Sequence, residues 1–245
     1  MTLVHELLGY KNIKIYQNEE MFRFSLDSTL LANFVEVDKK IKEIIDLGTG
    51  NAPIPLFLTL KTKALITGVE IQAEVAELAR KSVEANNLSK QIRILNNDIK
   101  GIYQELGHSK FDIVISNPPY FKYKEESNVN KSDYLTIARH EVLITLEDII
   151  KEAKKLIVDG GHLYIVHRVE RLQEMLNLFE KYNFGAKKMQ FVFPKKQDKN
   201  ALLVLVCARF NKRPELVVES PLYIYNSKNE YTSEVRKIFN FKKER

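Results

Sequence analysis

The chain has 245 residues, 44% apolar and 29% charged, which is the balance of an ordinary globular protein with material for a sizeable core. It carries 38 Lys and Arg against 32 Asp and Glu, a net charge of +6 that suits a polyanionic partner without requiring one. One cysteine excludes an intrachain disulfide and a cysteine metal cage, no apolar run approaches the roughly 18 residues of a bilayer span, and the first residues lack a signal pattern. The expectation is a cytoplasmic protein with no membrane segment.

In chain order, residues 1–40 form an N-terminal extension that contains the amphipathic stretch FRFSLDSTLLANFV. A core follows over 41–210. IKEIIDL (41–47) has the apolar run of a strand and stops at Gly48; PIPLFLTL (53–60) follows as a helix with proline in its first turn. ALITGVE (64–70) is a second strand and QAEVAELARKSVEANN (72–87) a helix, with Val75, Leu78, Ala79 and Val83 at helical spacing. IRILNND (92–98) and FDIVISN (111–117) are the third and fourth strands. A polar link, 121–144, leads to a helix over 145–161, with Thr145 and Asp148 as its cap and glycine at its end. HLYIVH (162–167) is the fifth strand and ERLQEMLNLFEKYNF (170–184) another helix. KMQFVF (188–193) and ALLVLVCA (201–208) close the series, joined only by the basic loop PKKQDKN, so they pair as an antiparallel hairpin. Cys207 lies in the last strand as a small buried hydrophobe. A tail, 211–245, ends in the basic, aromatic TSEVRKIFNFKKER, whose Lys237, Lys242 and Lys243 either contact a phosphate-bearing partner or form a solvated face.

This alternation predicts an α/β fold: a seven-stranded, mostly parallel sheet with one antiparallel strand near an edge and helices on both faces, a Rossmann-like arrangement. His162 and His167 are an odd number of residues apart on one strand and point to opposite faces, so they form no ligand pair, and no metal site is expected.

The first strand runs into DLGTGNAPI (46–54). Gly48 and Gly50, between a strand and a helix, permit positive φ and a close approach of ligand to backbone. Glu70 ends the second strand, where a carboxylate can accept both hydroxyls of a ribose. The dinucleotide fingerprint needs a third glycine where Pro53 stands, and no cation in the turn replaces it. A ligand with ribose and adenine but no phosphates fits better, and S-adenosylmethionine is such a ligand. Asn97-Asp98 ends the third strand at the same sheet edge.

The fourth strand ends on Asn117-Pro118-Pro119-Tyr120. Prolines have no N–H for a ladder and stop the strand at the cleft. The stretch resembles the N-P-P-[YF] motif of methyltransferases that modify planar nitrogens, and such a nitrogen, adenine N6 for one, is a poor nucleophile because its lone pair is delocalised into the ring. Two acceptors on its N–H bonds draw it toward tetrahedral geometry. Asn117 offers a side-chain carbonyl and Pro118 a main-chain carbonyl aimed by the stiff Pro-Pro unit, while Tyr120 can stack on a flipped base.

The D-x-G-x-G turn resembles the first motif of the class I methyltransferases, and N-P-P-Y resembles the motif shared by adenine-N6, guanine-N2 and protein-glutamine methyltransferases. GVEIQ (68–72), FRFSLDSTLLANF (22–34), IARHE (137–141), VHRVERL (166–172), VFPKK (192–196) and PLYIYNSKNEYTSEV (221–235) are similar to one bacterial family, the tRNA1(Val) (adenine-37-N6)-methyltransferases. The resemblance implies a class I fold, S-adenosylmethionine as cofactor and tRNA as partner. It implies cofactor contacts at Asp46, Gly48, Gly50, Glu70, Ile71, Asn97, Asp98 and Asn117, with Phe24, Ser25 and Asp27 covering the methionine end, and catalysis by Asn117, Pro118, Pro119 and Tyr120. Asn51-Ala52 departs from the family, where many members carry another glycine. Arg139 and His140 belong either to a lid that touches RNA or to a helix start with an ion pair. Arg168 and Arg171 either contact phosphate or form a solvated helix start. Glutamine methyltransferases usually carry a larger N-terminal helical domain, and DNA adenine methyltransferases a sizeable target-recognition domain. Segments 1–40, 121–144 and 211–245 look too small for either.

Overall fold

The computed structural model describes residues 2–7, 9–18, 26–118, 120 and 144–240. The chain opens with a hairpin of β1 (Thr2–Leu7) and β2 (Tyr10–Asn18) and then α1 (Leu26–Phe34). The core follows as β3 (Glu43–Leu47), α2 (Pro53–Leu58), β4 (Leu65–Glu70), α3 (Ala73–Ala85), β5 (Ile92–Asn96), α4 (Tyr103–Leu106) and β6 (Phe111–Ser116). Then come α5 (Leu146–Leu156), β7 (Ile157–Arg168), a 3-10 turn (Val169–Arg171), α6 (Leu172–Lys181), β8 (Phe184–Lys195) and β9 (Leu203–Phe210). The tail adds β10 (Val217–Val218), β11 (Leu222–Tyr225) and α7 (Ser233–Ile238).

The main sheet runs β5-β4-β3-β6-β7-β9-β8, with β9 antiparallel to both neighbours and the other pairs parallel. The seven expected strands are all present. The count rises to nine because β10 and β11 both pair in parallel with the outer edge of β8. That edge would otherwise expose unpaired N–H and C=O groups.

Parallel strands need cover on both faces, so their residues are apolar on both sides. Ile44, Ile113, Ile115 and Tyr164 face one core with α1, α2 and α3; Ile45, Leu47, Val114 and Ile165 face the other with α5 and α6. The N-terminal hairpin and the tail also belong to the first core: Leu7, Ile15, Val235 and Phe239 are fully buried in it. The two ends of the chain meet there, with Gly9 N–H donating to Phe239 O at 3.0 Å and Tyr10 Oη to Ile238 O at 3.2 Å. These segments, expected outside the core, supply part of it.

The α5 helix forms because Leu146, Ile149, Ile150, Ala153 and Leu156 recur at helical spacing, and all are buried. Thr145 and Asp148 cap it with reciprocal bonds, worth about 1 kcal/mol. It ends at Leu156 rather than at the glycines. Ile157 and Val158 are β-branched and already in β7, and residues 158–161 bulge opposite Asp112 before pairing resumes at His162. No helix among the described residues is long and apolar enough to cross a membrane.

Candidate active site

The C-terminal ends of β3, β4, β5, β6 and β7 point the same way, because these strands are mutually parallel. In an open α/β sheet that edge holds the ligand cleft. After β3 the chain turns through Gly48 and Gly50, at φ +78° and +57°. The N–H groups of Gly48 and Thr49 both donate to Val69 O at 2.9 Å, which seats the turn on β4. Gly68 makes room for this seat, since a Cβ there would lie 2.9 Å from the Thr49 side chain. Gly50 differs: a Cβ there would meet nothing within 4 Å, so its surface lies open to a ligand. Ala52 is also left-handed, at φ 69° and ψ 37°, a conformation that is strained for a residue with a side chain. Asn51 ties the turn to the hairpin, its Nδ2 donating to Tyr16 O at 3.0 Å.

Two carboxylates line this turn. Asp46 is fully buried; its Oδ2 accepts from Thr49 Oγ1 at 2.7 Å, and its Oδ1 has no partner among the described residues. Burial pushes its carboxyl up to about 7, with the Thr49 bond opposing and the nearby charge of Glu70 adding. Glu70 is 6% exposed and accepts Gly50 N–H at 3.0 Å on Oε2 and Gln72 N–H at 2.9 Å on Oε1. Burial raises its carboxyl, opposed by those backbone donors. A carboxylate oxygen has two lone pairs, so the hydroxyls of a ribose diol can share them with these donors.

Past β5, Asp98 Oδ1 accepts Lys100 N–H at 2.8 Å. Asn97 turns outward instead: its Nδ2 donates to Glu105 Oε2 at 2.8 Å and its Oδ1 accepts Asp98 N–H at 2.8 Å. Ile71 leaves a large apolar side chain 38% exposed beside Glu70. The orphaned Asp46 oxygen, the doubly braced Glu70 and the open surface of Gly50 fit a ligand with a ribose, an adenine and a cationic amino-acid end, which is the chemistry of S-adenosylmethionine.

The other half of the site starts at β6, where Ser116 Oγ donates to Leu47 O at 2.8 Å. Asn117 Nδ2 donates to Ser28 Oγ at 3.0 Å, and its Oδ1 lies 2.8 Å from Tyr120 Oη. Tyr120 Oη also donates to Asp27 Oδ2 at 2.6 Å. Thus α1, far away in sequence, grips both polar residues of the motif. Burial first, and then the Asp27 charge, raise the Tyr120 hydroxyl well above its ordinary value, so it keeps its proton. The His167 ring stands 5.4 Å from the Tyr120 ring, tilted by 45°. Arg168 N–H donates to His167 Nδ1 at 2.8 Å, so the ring proton sits on Nε2, which is buried without an acceptor among the described residues. Burial, aided by the Arg171 charge, lowers His167 to about 3 and keeps it neutral.

The two arginines after β7 face different ways. Arg168 pairs with the exposed Glu170 at 3.0 Å. Arg171 is 9% exposed; it forks onto Glu174 with two bonds of 2.9 Å and reaches Tyr120 O at 3.5 Å. Its guanidinium braces the motif turn from within. Phe24, Ser25, Pro119, Arg139 and His140 lie outside the described residues. Among the described residues no group of three His, Cys, Asp or Glu is placed to hold a metal. Sequence reasoning assigned no role to Ser28, Thr49 or His167. The signal for the first was present in the polar run Asp27-Ser28-Thr29 in the first turn of α1.

Comparison with known proteins bears on the family and the fold. Residues 20–194 match the family model of the methyltransferase small domain. A protein of Trichodesmium erythraeum named tRNA1(Val) (adenine(37)-N6)-methyltransferase is 29% identical over 226 residues, 88% of this chain and 91% of its own. A release factor glutamine methyltransferase of Francisella tularensis is 30% identical over 193 residues, 73% of this chain and 66% of its own. Among solved structures, a predicted O-methyltransferase of Agrobacterium tumefaciens superposes with a TM-score of 0.69 at 26% identity, covering 88% of this chain and 96% of its own.

Proposed function

The chain belongs to the methyltransferase small domain family, and from that premise we propose that it methylates the exocyclic N6 of adenine in tRNA, at the position 3′ of the anticodon, position 37 of tRNA(Val). The enzyme is a methyltransferase and its cofactor is S-adenosylmethionine. The Asn117–Tyr120 arrangement, an amide carbonyl and an aromatic ring at the end of β6 gripped by α1, supports transfer to a planar nitrogen, and the choice of tRNA adenine is carried by the near full-length relatives. The 91% coverage of the Trichodesmium tRNA enzyme, against 66% of the glutamine enzyme, favours the nucleic-acid substrate.

In this reading Glu70 holds the ribose diol, Asp98 the adenine amine and Asp46 the amino-acid end of the cofactor. The cofactor supplies an electrophilic methyl group on a sulfonium. Asn117 Oδ1 and the Pro118 carbonyl accept the two N–H bonds of a base flipped out of its stack, and Tyr120 stacks on it. Both acceptors are neutral, so no side chain has to take a proton before transfer. Alignment of amine and methyl is then the main catalytic effect. His167, kept neutral, adds no charge beside the base.

The test is transfer of labelled methyl to an unmodified tRNA(Val) transcript, followed by nucleoside mass spectrometry. N6-methyladenosine at position 37 is expected, with binding that falls steeply as salt rises. Methylation of a glutamine peptide, with no label in tRNA, would establish the glutamine alternative instead.

A further inference from the structure

Tyr120 Oη lies 2.6 Å from Asp27 Oδ2 and 2.8 Å from Asn117 Oδ1, yet a phenol has one proton. The two oxygens compete for it. The carboxylate is closer and charged, and charge-assisted bonds are about twice as strong as neutral ones. The proton therefore points to Asp27, and Tyr120 turns an oxygen lone pair toward the Asn117 carbonyl. On its other side the Asn117 amide is anchored through Nδ2 to Ser28 Oγ at 3.0 Å, so it cannot turn its N–H edge to the phenol without giving up that bond. The result is a carbonyl held beside another acceptor, with no proton of its own.

We propose that Asp27 is a positioning residue for methyl transfer: by keeping the Tyr120 proton, it leaves the Asn117 carbonyl free to accept an N–H of the target amine. This rests on the reading of Asn117 as an amine acceptor. It places Asp27 on the side of the target base, whereas the family resemblance placed it at the methionine end of the cofactor. The raised affinity of Tyr120 for its proton supports the assignment, since the phenol stays neutral and the proton remains between the two side chains. Without Asp27 the same proton turns to Asn117 and competes with the incoming amine.

The consequence is a suppression that a purely structural role would not produce. Asp27→Ala lowers kcat on adenosine in tRNA about tenfold, the worth of one competing hydrogen bond, while cofactor affinity measured by calorimetry stays within about twofold, well short of the tenfold that one lost bond would bring. Adding Tyr120→Phe removes the competing hydroxyl, so the double variant turns over faster than Asp27→Ala alone and matches Tyr120→Phe. The isosteric Asp27→Asn, whose neutral carbonyl competes for the phenol proton on more equal terms with that of Asn117, gives a rate between wild type and Asp27→Ala and guards against a folding defect. A double variant at or below the Asp27→Ala rate would overturn the proposal, as would a loss of cofactor affinity that parallels the loss of rate. A second arm needs no turnover: the Tyr120 hydroxyl proton, identified by NMR from its loss in Tyr120→Phe, must shift in Asp27→Asn. An unmoved resonance places the proton elsewhere and sinks the inference. Absence of wild-type transfer to adenosine would instead defeat the substrate reading, with the NMR arm still deciding where the proton lies.

Discussion

The two halves of the cleft are built by different means. At the glycine turn, the proposed cofactor side, the decisive bonds come from the backbone: Gly50 and Gln72 N–H brace Glu70, and Gly48 and Thr49 N–H lock the turn onto β4. At the end of β6, the proposed target side, they run between side chains of distant elements, Asn117 to Ser28 and Tyr120 to Asp27. A backbone cradle follows from strand, turn and glycine, and it tolerates change in the side chains around it. A side-chain relay depends on each member and fixes proton positions, which is what an amine acceptor needs. The difference teaches that binding and chemistry in this cleft should fail separately.

The largest effect should come from the target side. Asn117→Ala is expected to lower kcat by about a thousandfold, as loss of a preorganised transition-state partner does, with cofactor affinity nearly unchanged in calorimetry. A parallel loss of both would break the division. Glu70→Ala should do the reverse, weakening cofactor binding about a hundredfold through two lost charge-assisted bonds, while kcat at saturating cofactor falls far less.

Asp46 sharpens the comparison through pH. Its carboxyl stands at about 7 in the folded protein against an ordinary value of 3.8. Below pH 4 it is protonated folded and unfolded, and contributes nothing. Between pH 4 and 7 the unfolded chain loses this proton while the folded protein keeps it, so stability falls as pH rises. Asp46→Asn should remove that decline, gaining about 4 kcal/mol on wild type between pH 4 and 8. Parallel denaturation curves at the two pH values would show that Asp46 does not titrate there. The smallest effect concerns Ala52. Replacing it with glycine relieves the left-handed strain but frees the unfolded chain, for a net gain of about 0.5 kcal/mol. A loss of stability in urea melts would mean that the Ala52 methyl packs better than its backbone conformation costs.

Most of the sheet was legible because its strands are covered on both faces and read as unbroken apolar runs. The antiparallel β8–β9 pair followed from the short loop between them. The end of α5 was misjudged, since the glycines at 160 and 161 looked like a helix stop while β-branched Ile157 and Val158 had already begun the strand. The strands of the tail were missed because β10 and β11 are short and polar around their contacts. Val217–Val218 and Leu222–Tyr225 are strand-forming residues, but two and four residues are too few to stand out from a loop until the β8 edge pairs with them. The structure brings Gly48, Gly50, Glu70 and Asn117, which the glycine turn, the strand end and the motif resemblance had marked, to one edge of the sheet. Arg171 was not so marked, because an arginine at a helix start looks solvated until its carboxylate and carbonyl partners come into view.

The sequence by itself determined the parallel sheet, the glycine turn, the acid at the end of β4 and the amide at the end of β6. Each depends on neighbours within a strand and a turn, and short-range sterics and periodicity settle those. Only the tertiary structure decided what surrounds the amide. Asp27 and Ser28 reach it across some ninety residues, Ser28 to Asn117 at a separation of 89 and Asp27 to Tyr120 at 93. No local pattern records which acceptor takes the phenol proton; that follows from the distances the folded chain imposes.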